Sequence, residues 1–202
     1  SEREGSVVSA RFAEDTDPGL MVWSHSDLLF HSRSRLSRHE DPRGAVYPRG
    51  EKLPPPAVKP LPEGPRYPLY KPVLAEIAAA DPSFTEVIES RRSFRKFARR
   101  PLTSRRLGEL LFRTARIRSV RPESGGGVGY AVSDRPYPSS GSLHELELYL
   151  TLDRCADLPR GIYHYDPLGH ALTLINTSHD KVGELLDDAK AATGAIQRPP
   201  AL

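Results

Sequence analysis

The sequence predicts an α+β domain, a mainly antiparallel sheet with helices around it, and three observations predict it. Residues 161–165 and 170–175 read as two short strands, joined by Asp166-Pro167-Leu168-Gly169 with proline and glycine at type I turn positions, so they form a hairpin. Leu146, Leu148, Leu150 and Leu152 alternate with Glu147, Tyr149 and Thr151, the period-two pattern of a half-buried strand. Between and beyond these strands, apolar residues recur at helical spacing behind serine and threonine caps.

Taken in order, residues 1–16 show no periodicity. Asp17-Pro18 is an N-cap followed by proline at the first helical position, which predicts a helix over 18–31. Leu20, Trp23 and Phe30 share a face of that helix and should pack on the main body, and His31-Ser32-Arg33-Ser34-Arg35 follows as a basic, solvated turn. These elements make up a first segment, 1–40. Residues 41–72 are a proline-rich strap, with ten prolines including Pro54-Pro55-Pro56. Proline lacks the donor a ladder needs, so the strap is expected to wrap the domain in extended geometry rather than enter a sheet.

The main domain is assigned to 73–202. A short helix over 73–80 stops at Asp81-Pro82, and Ser83 with Glu86 has capping-box spacing ahead of Phe84, Val87 and Ile88. Thr103 caps the strongest helix, which runs to about Arg116 with Leu107, Leu110, Leu111 and Ala115 on one face. Residues 123–129 break the pattern as a glycine-rich loop. A polar-faced helix over 178–192 carries Val182, Leu185, Leu186 and Ala189. No internal repeat is present.

Composition narrows the class. The 202 residues are 38% hydrophobic and 27% charged, which suits a globular chain, and twenty prolines are about twice the usual share. Net charge is +3, with the basic residues clustered, which favours a local anion site over a nucleic-acid surface. The single Cys155 excludes an intramolecular disulfide and a cysteine zinc cage and fits a reducing cytoplasm. No run has transmembrane length, so no membrane partner is expected.

Two stretches are candidates for binding chemistry. In Arg91-Arg92-Ser93-Phe94-Arg95-Lys96-Phe97, arginine forks and a serine hydroxyl suit a phosphate, and Phe94 and Phe97 would pin the segment to a core. Without that apolar interleaving such a run is ordinarily a solvated face. In Arg135-Pro136-Tyr137-Pro138-Ser139-Ser140-Gly141-Ser142-Leu143-His144, two prolines stiffen a loop whose amides and hydroxyls can donate to a flat or polar ligand. His144 is either a proton donor beside that ligand or a backbone hydrogen-bond partner, and the sequence leaves both open. His164 and His170 flank the hairpin turn and read as structural. The 125–129 glycines lack dinucleotide-fingerprint spacing, no metal cluster has convincing spacing, and no serine sits in a nucleophile elbow.

These two stretches, in this order, resemble the two flavin-binding motifs of the nitroreductase superfamily. More narrowly, Phe30-His31-Ser32-Arg33-Ser34-Arg35, Leu110-Leu111-Phe112-Arg113-Thr114-Ala115-Arg116, residues 135–150, and Gly161-Ile162-Tyr163-His164-Tyr165-Asp166-Pro167 with His170-Ala171-Leu172 resemble its SagB-type peptide azoline dehydrogenases. The resemblance covers about residues 25–202. It implies FMN as cofactor, with Arg91, Arg92, Ser93 and Arg95 at the phosphate and ribityl chain and Pro138, Ser139, Ser140, Gly141 and Ser142 along the ring. His144 remains a weak catalytic candidate.

It further implies oxidation of peptide thiazolines or oxazolines to azoles, by loss of a proton to a base and hydride transfer to the flavin. The implied partners are an azoline-bearing precursor peptide, a cyclodehydratase, and a second subunit of a homodimer. The family domain continues past its Pro-Pro-Ala-Leu strand into a half that carries the presumed base region. The expectation is therefore a nitroreductase-like fold incomplete without that half, supplied by a second chain or absent from an incomplete product. Two other functions fit the same residues: a nicotinamide-dependent reductase of nitro compounds or quinones, and a non-catalytic module binding a peptide or partner.

Overall fold

A computed structural model describes residues 16–35, 38, 56–93, 100–122 and 130–194. The chain divides into two units, Ser1–Leu53 and Pro54–Leu202.

In the first unit the helix starts later than its sequence suggests. Asp17 caps only a turn: its Oδ1 accepts from Gly19 N at 2.7 Å and its carbonyl from Leu20 and Met21. Helix α1 is His25–Ser34, capped by Ser24, whose Oγ accepts from Asp27 N at 3.1 Å and donates to the Asp27 carboxylate at 2.7 Å. That reciprocal cap outcompetes Asp17-Pro18, which has Gly19 behind it. His31 and Arg33, expected in a turn, form the last helical turn, where cations suit the carbonyl end. Helix α1 buries no residue, and Phe30 is 73% exposed.

The second unit is built on a four-stranded antiparallel sheet in the order β1 (Arg66–Pro68), β6 (Ala171–Asn176), β5 (Gly161–Asp166), β4 (Tyr149–Leu152). The predicted hairpin is β5–β6, with a bulge at Ile162/Tyr163. Its turn is held by Asp166, whose Oδ1 accepts from Leu168 N at 3.1 Å and Gly169 N at 2.9 Å, while Oδ2 accepts from Arg66 at 2.6 Å. The strap does enter the ladder: Arg66, Tyr67 and Pro68 pair with Thr173, Leu172 and Ala171. Only an edge tolerates proline, and β1 is an edge.

The predicted strand over 146–152 is shorter than expected. Its register pairs Tyr149 with His164, so Leu146 would face Pro167, where β5 has already turned. The last link before β4 is Tyr165 N donating to Leu148 O at 3.0 Å. Leu146 and Leu148 are consequently exposed, and residues 143–148 are irregular.

Helices follow their caps closely. α2 is Leu74–Ala80; α3 is Phe84–Ser90, with Ser83 Oγ accepting from Glu86 N at 3.2 Å. Phe84, Val87 and Ile88 are all exposed, so the apolar face predicted for α3 is not covered. α4 is Ser104–Thr114, capped by Thr103, and α5 is His179–Thr193, capped by Ser178 and ended by left-handed Gly194.

The core joins Leu107, Leu111 and Ala115 of α4 and its C-cap to Leu69, Leu152, Tyr163, Tyr165, Leu172 and Leu174. Leu110, expected on this face, is exposed instead. α4 lies so close that a Cβ on Gly108 would stand 2.9 Å from Tyr70 N. A small second sheet pairs β2 (Ser119–Arg121) with β3 (Val132–Asp134), and the predicted loop over 123–129 lies outside the described residues. Among the described residues, no helix is long and apolar enough to cross a membrane.

Candidate functional site

The proline-stiffened loop leaves β3 and folds back against it. Ser140–Ser142 form one 3-10 turn, closed by Ser142 N donating to Ser139 O at 3.2 Å. Three residues here occupy the left-handed region: Gly141 (φ 60°), Ser142 (φ 57°) and His144 (φ 46°). Gly141 requires its glycine twice over, since a Cβ would lie 2.8 Å from the Tyr130 hydroxyl, which donates to Gly141 O at 3.2 Å. Non-glycine left-handed residues are costly, and two of them within three positions mark a loop held in place by its surroundings.

Ser139 supplies much of that hold. Its hydroxyl accepts from His144 N at 3.0 Å and donates to the Glu145 carboxylate at 3.1 Å. The same serine that was expected to face a ligand therefore spends its hydroxyl proton inside the loop. Pro138 and Gly141 are exposed, and Ser142 is half-buried.

His144 is buried, with its ring edge-on to Tyr137 at 5.0 Å between centroids. Its Nδ1 is sealed from solvent and has no hydrogen-bond partner. Burial, then the charge of Arg135, holds its pKa below the usual histidine value, with the Ser133 backbone, Glu145 and Asp134 opposing. A ring kept neutral in this way is poorly suited to give up a proton near neutral pH.

Arg135 opens the proline-braced stretch, and its place in the sequence assigns it no role of its own. It is 8% exposed. Its Nε donates to Ser133 Oγ at 3.1 Å and its NH1 to the Tyr137 hydroxyl at 3.1 Å. Among the described residues no ion pair reaches it. The available signal was an arginine opening a proline-braced segment with tyrosine two residues on.

The phosphate-type stretch is described only in part. Arg91, Arg92 and Ser93 are exposed coil directly after α3, while Phe94, Arg95, Lys96 and Phe97 lie outside the described residues. Two guanidinium groups and a hydroxyl open to solvent suit a phosphate monoester chemically.

The other histidines are engaged in the fold. His164 Nε2 lies 2.7 Å from Glu147, which ties the irregular 143–148 segment to β5, although its buried Nδ1 has no partner. His170 Nε2 donates to Tyr70 O at 3.0 Å and its Nδ1 lies 2.8 Å from the Tyr165 hydroxyl. Beside this segment Lys59 donates to the Tyr149 hydroxyl at 2.7 Å. Burial raises the Cys155 thiol above its ordinary pKa, so it is no ready nucleophile. Among the described residues no group of three histidine, cysteine or carboxylate side chains could hold a metal ion.

No family model matches the chain. Over 94 residues it is 29% identical to a protein of Methanocaldococcus jannaschii named "Putative nitroreductase". The aligned stretch is 45% of this chain and 40% of that protein, so the chain spans well under half of the relative it matches. The mixed architecture, with an antiparallel sheet and helices, is compatible with a nitroreductase-like fold.

Proposed function

We propose that this chain forms part of an FMN-dependent oxidoreductase of the nitroreductase type. The observation that carries the reading is the 94-residue similarity to a protein of that name, in a chain holding both a basic-serine segment and a strained proline-serine-glycine loop. The donor chemistry fits the cofactor. Arg91, Arg92, Ser93 and Arg95 would take the phosphate and ribityl hydroxyls, and residues 138–142 would lie along the ring. FMN, when bound, accepts a hydride from one substrate and passes it on.

The chain's own contribution is to hold and orient. The Ser139 bonds to His144 N and Glu145 fix the loop's shape before a ligand arrives. Keeping a loop in its binding conformation reduces the ordering cost of association. His144, neutral and buried, acts as packing behind the loop rather than as an acid.

Two substrate classes divide this reading. Reduction of nitro compounds or quinones with a nicotinamide donor follows from the relative's name. Oxidation of peptide thiazolines or oxazolines follows from the four short motifs of the SagB type, and brings with it a precursor peptide, a cyclodehydratase and a second subunit or chain as partners. Assaying both reactions on the purified FMN-loaded protein separates them. NAD(P)H consumption with a nitroaromatic and no peptide selects the first; azole formation on a thiazoline peptide selects the second. Arg95→Ala should loosen FMN at least tenfold, as loss of a charged hydrogen bond does, whereas Arg66→Ala, whose partner is Asp166, should not. Equal effects would remove the phosphate assignment. Tight peptide binding without flavin would select a non-catalytic module instead.

A further inference from the structure

Arg135 is a buried cation with no counterion among the described residues. Its nearest carboxylates in sequence are engaged elsewhere, Asp134 with Arg118 at 3.7 Å and Glu145 with Ser139 at 3.1 Å. A guanidinium removed from water and bonded only to neutral hydroxyls is costly, and native proteins ordinarily compensate such a group. Nε and NH1 are used, but the second terminal nitrogen has no partner and is not among the sealed atoms, so it reaches solvent.

Tyr137 extends the same corner. Its hydroxyl oxygen accepts from Arg135, which leaves its own proton free to donate, and the side chain is half-buried. Its ring is fixed edge-on to His144, whose Nδ1 is the sealed and unpartnered atom described above. Two donors with capacity to spare, one on a guanidinium and one on a phenol, stand together beside a preformed loop.

We propose that Arg135 and Tyr137 form a binding site for a carboxylate group of a small ligand, next to the 138–144 loop. Two donors match the two oxygens of a planar carboxylate. For a phosphate the exposed Arg91–Arg92–Ser93 stretch, with two guanidinium groups and a hydroxyl, offers more donors than this corner. The site does not depend on flavin, because every group in it belongs to this chain and none has been assigned to the cofactor.

The test is calorimetric titration of the flavin-free protein with benzoate, repeated with inorganic phosphate present. Saturable benzoate binding is expected. It should weaken about tenfold or more in Arg135→Gln and severalfold in Tyr137→Phe, which keeps the ring against His144, and phosphate should not compete. If Arg135→Gln does not fold by circular dichroism, Tyr137→Phe decides alone. No saturable binding to the wild-type protein, unchanged affinity in Tyr137→Phe, or competition by equimolar phosphate would each overturn the assignment. FMN titrations on the same variants keep this result separate from the flavin reading.

Discussion

Two histidines in this molecule occupy nearly the same backbone conformation in very different company. His170, after the β5–β6 turn, has φ 54°; His144, after the serine loop, has φ 46°. Both are buried, and burial is the leading cause holding both below the usual histidine pKa. The His170 ring is fully used. A carbonyl only accepts, so Nε2 donates to Tyr70 O; burial keeps the ring neutral, so Nδ1 accepts the Tyr165 hydroxyl proton. That assignment requires the neutral ring, and it locks the turn onto the Leu69–Tyr70 backbone that α4 covers.

The His144 ring satisfies no such set. Its backbone N–H is bonded but its Nδ1 is not. One histidine closes a structural joint; the other stands where hydrogen-bonding capacity and strain are left over. Buried polar atoms are nearly always paired in folded proteins, so unpaired ones are informative about ligands and partners. The contrast extends outward, from Asp166 with its Arg66 ion pair to Arg135 with none among the described residues.

The comparison can be broken most easily at the rings themselves. His170→Ala strands the Tyr165 hydroxyl and the Tyr70 carbonyl and should cost about 3 kcal/mol in urea unfolding. His144→Ala forfeits only the ring's contact with the Ser133 backbone and its packing on Tyr137 and should cost less, about 1 kcal/mol. Equal losses would show that the two joints carry the same load.

Backbone strain sharpens the difference next. Gly141→Ala should destabilise by about 1–2 kcal/mol, because alanine resists φ 60° and its methyl would meet Tyr130. Gly183→Ala within α5, where a Cβ meets nothing within 4 Å, should stabilise by up to about 1 kcal/mol. If the two substitutions shift the melting temperature alike, the loop is not held in its left-handed turn.

The smallest expected effect is on pH. Both folded pKa values lie below the ordinary value of 6.5, so the folded state binds fewer protons than the unfolded chain. Their stabilising contribution is complete above about pH 6.5 and is lost as pH falls from there through the folded values. Melting temperatures measured from pH 7.5 down to 5.5 should fall more steeply in the wild-type protein than in His144→Gln. Parallel profiles would mean that His144 is already free to protonate.

Local signals were legible in the sequence wherever the cause is local. Ser83, Thr103 and Ser178 cap helices as their spacing predicts, and Asp166-Pro167-Leu168-Gly169 turns the hairpin. What failed depends on distant partners. Arg66, Tyr67 and Pro68 become a strand only because β6 presents an open edge, and Leu146 loses its strand because β5 ends before reaching it. The basic-serine and proline-serine stretches offered candidate binding residues, but not that Ser139 would bond inward or that Arg135 would be buried beside it. Burial of a charge is a property of the assembled fold, which residue spacing does not encode.

The flavin reading is tested most directly by calorimetric titration of FMN into the flavin-free protein. Saturable binding is predicted, weakened at least tenfold when Arg91, Arg92 and Arg95 are replaced together by alanine, since each takes one charged hydrogen bond from the phosphate. No saturable binding, or binding indifferent to all three replacements, would contradict it.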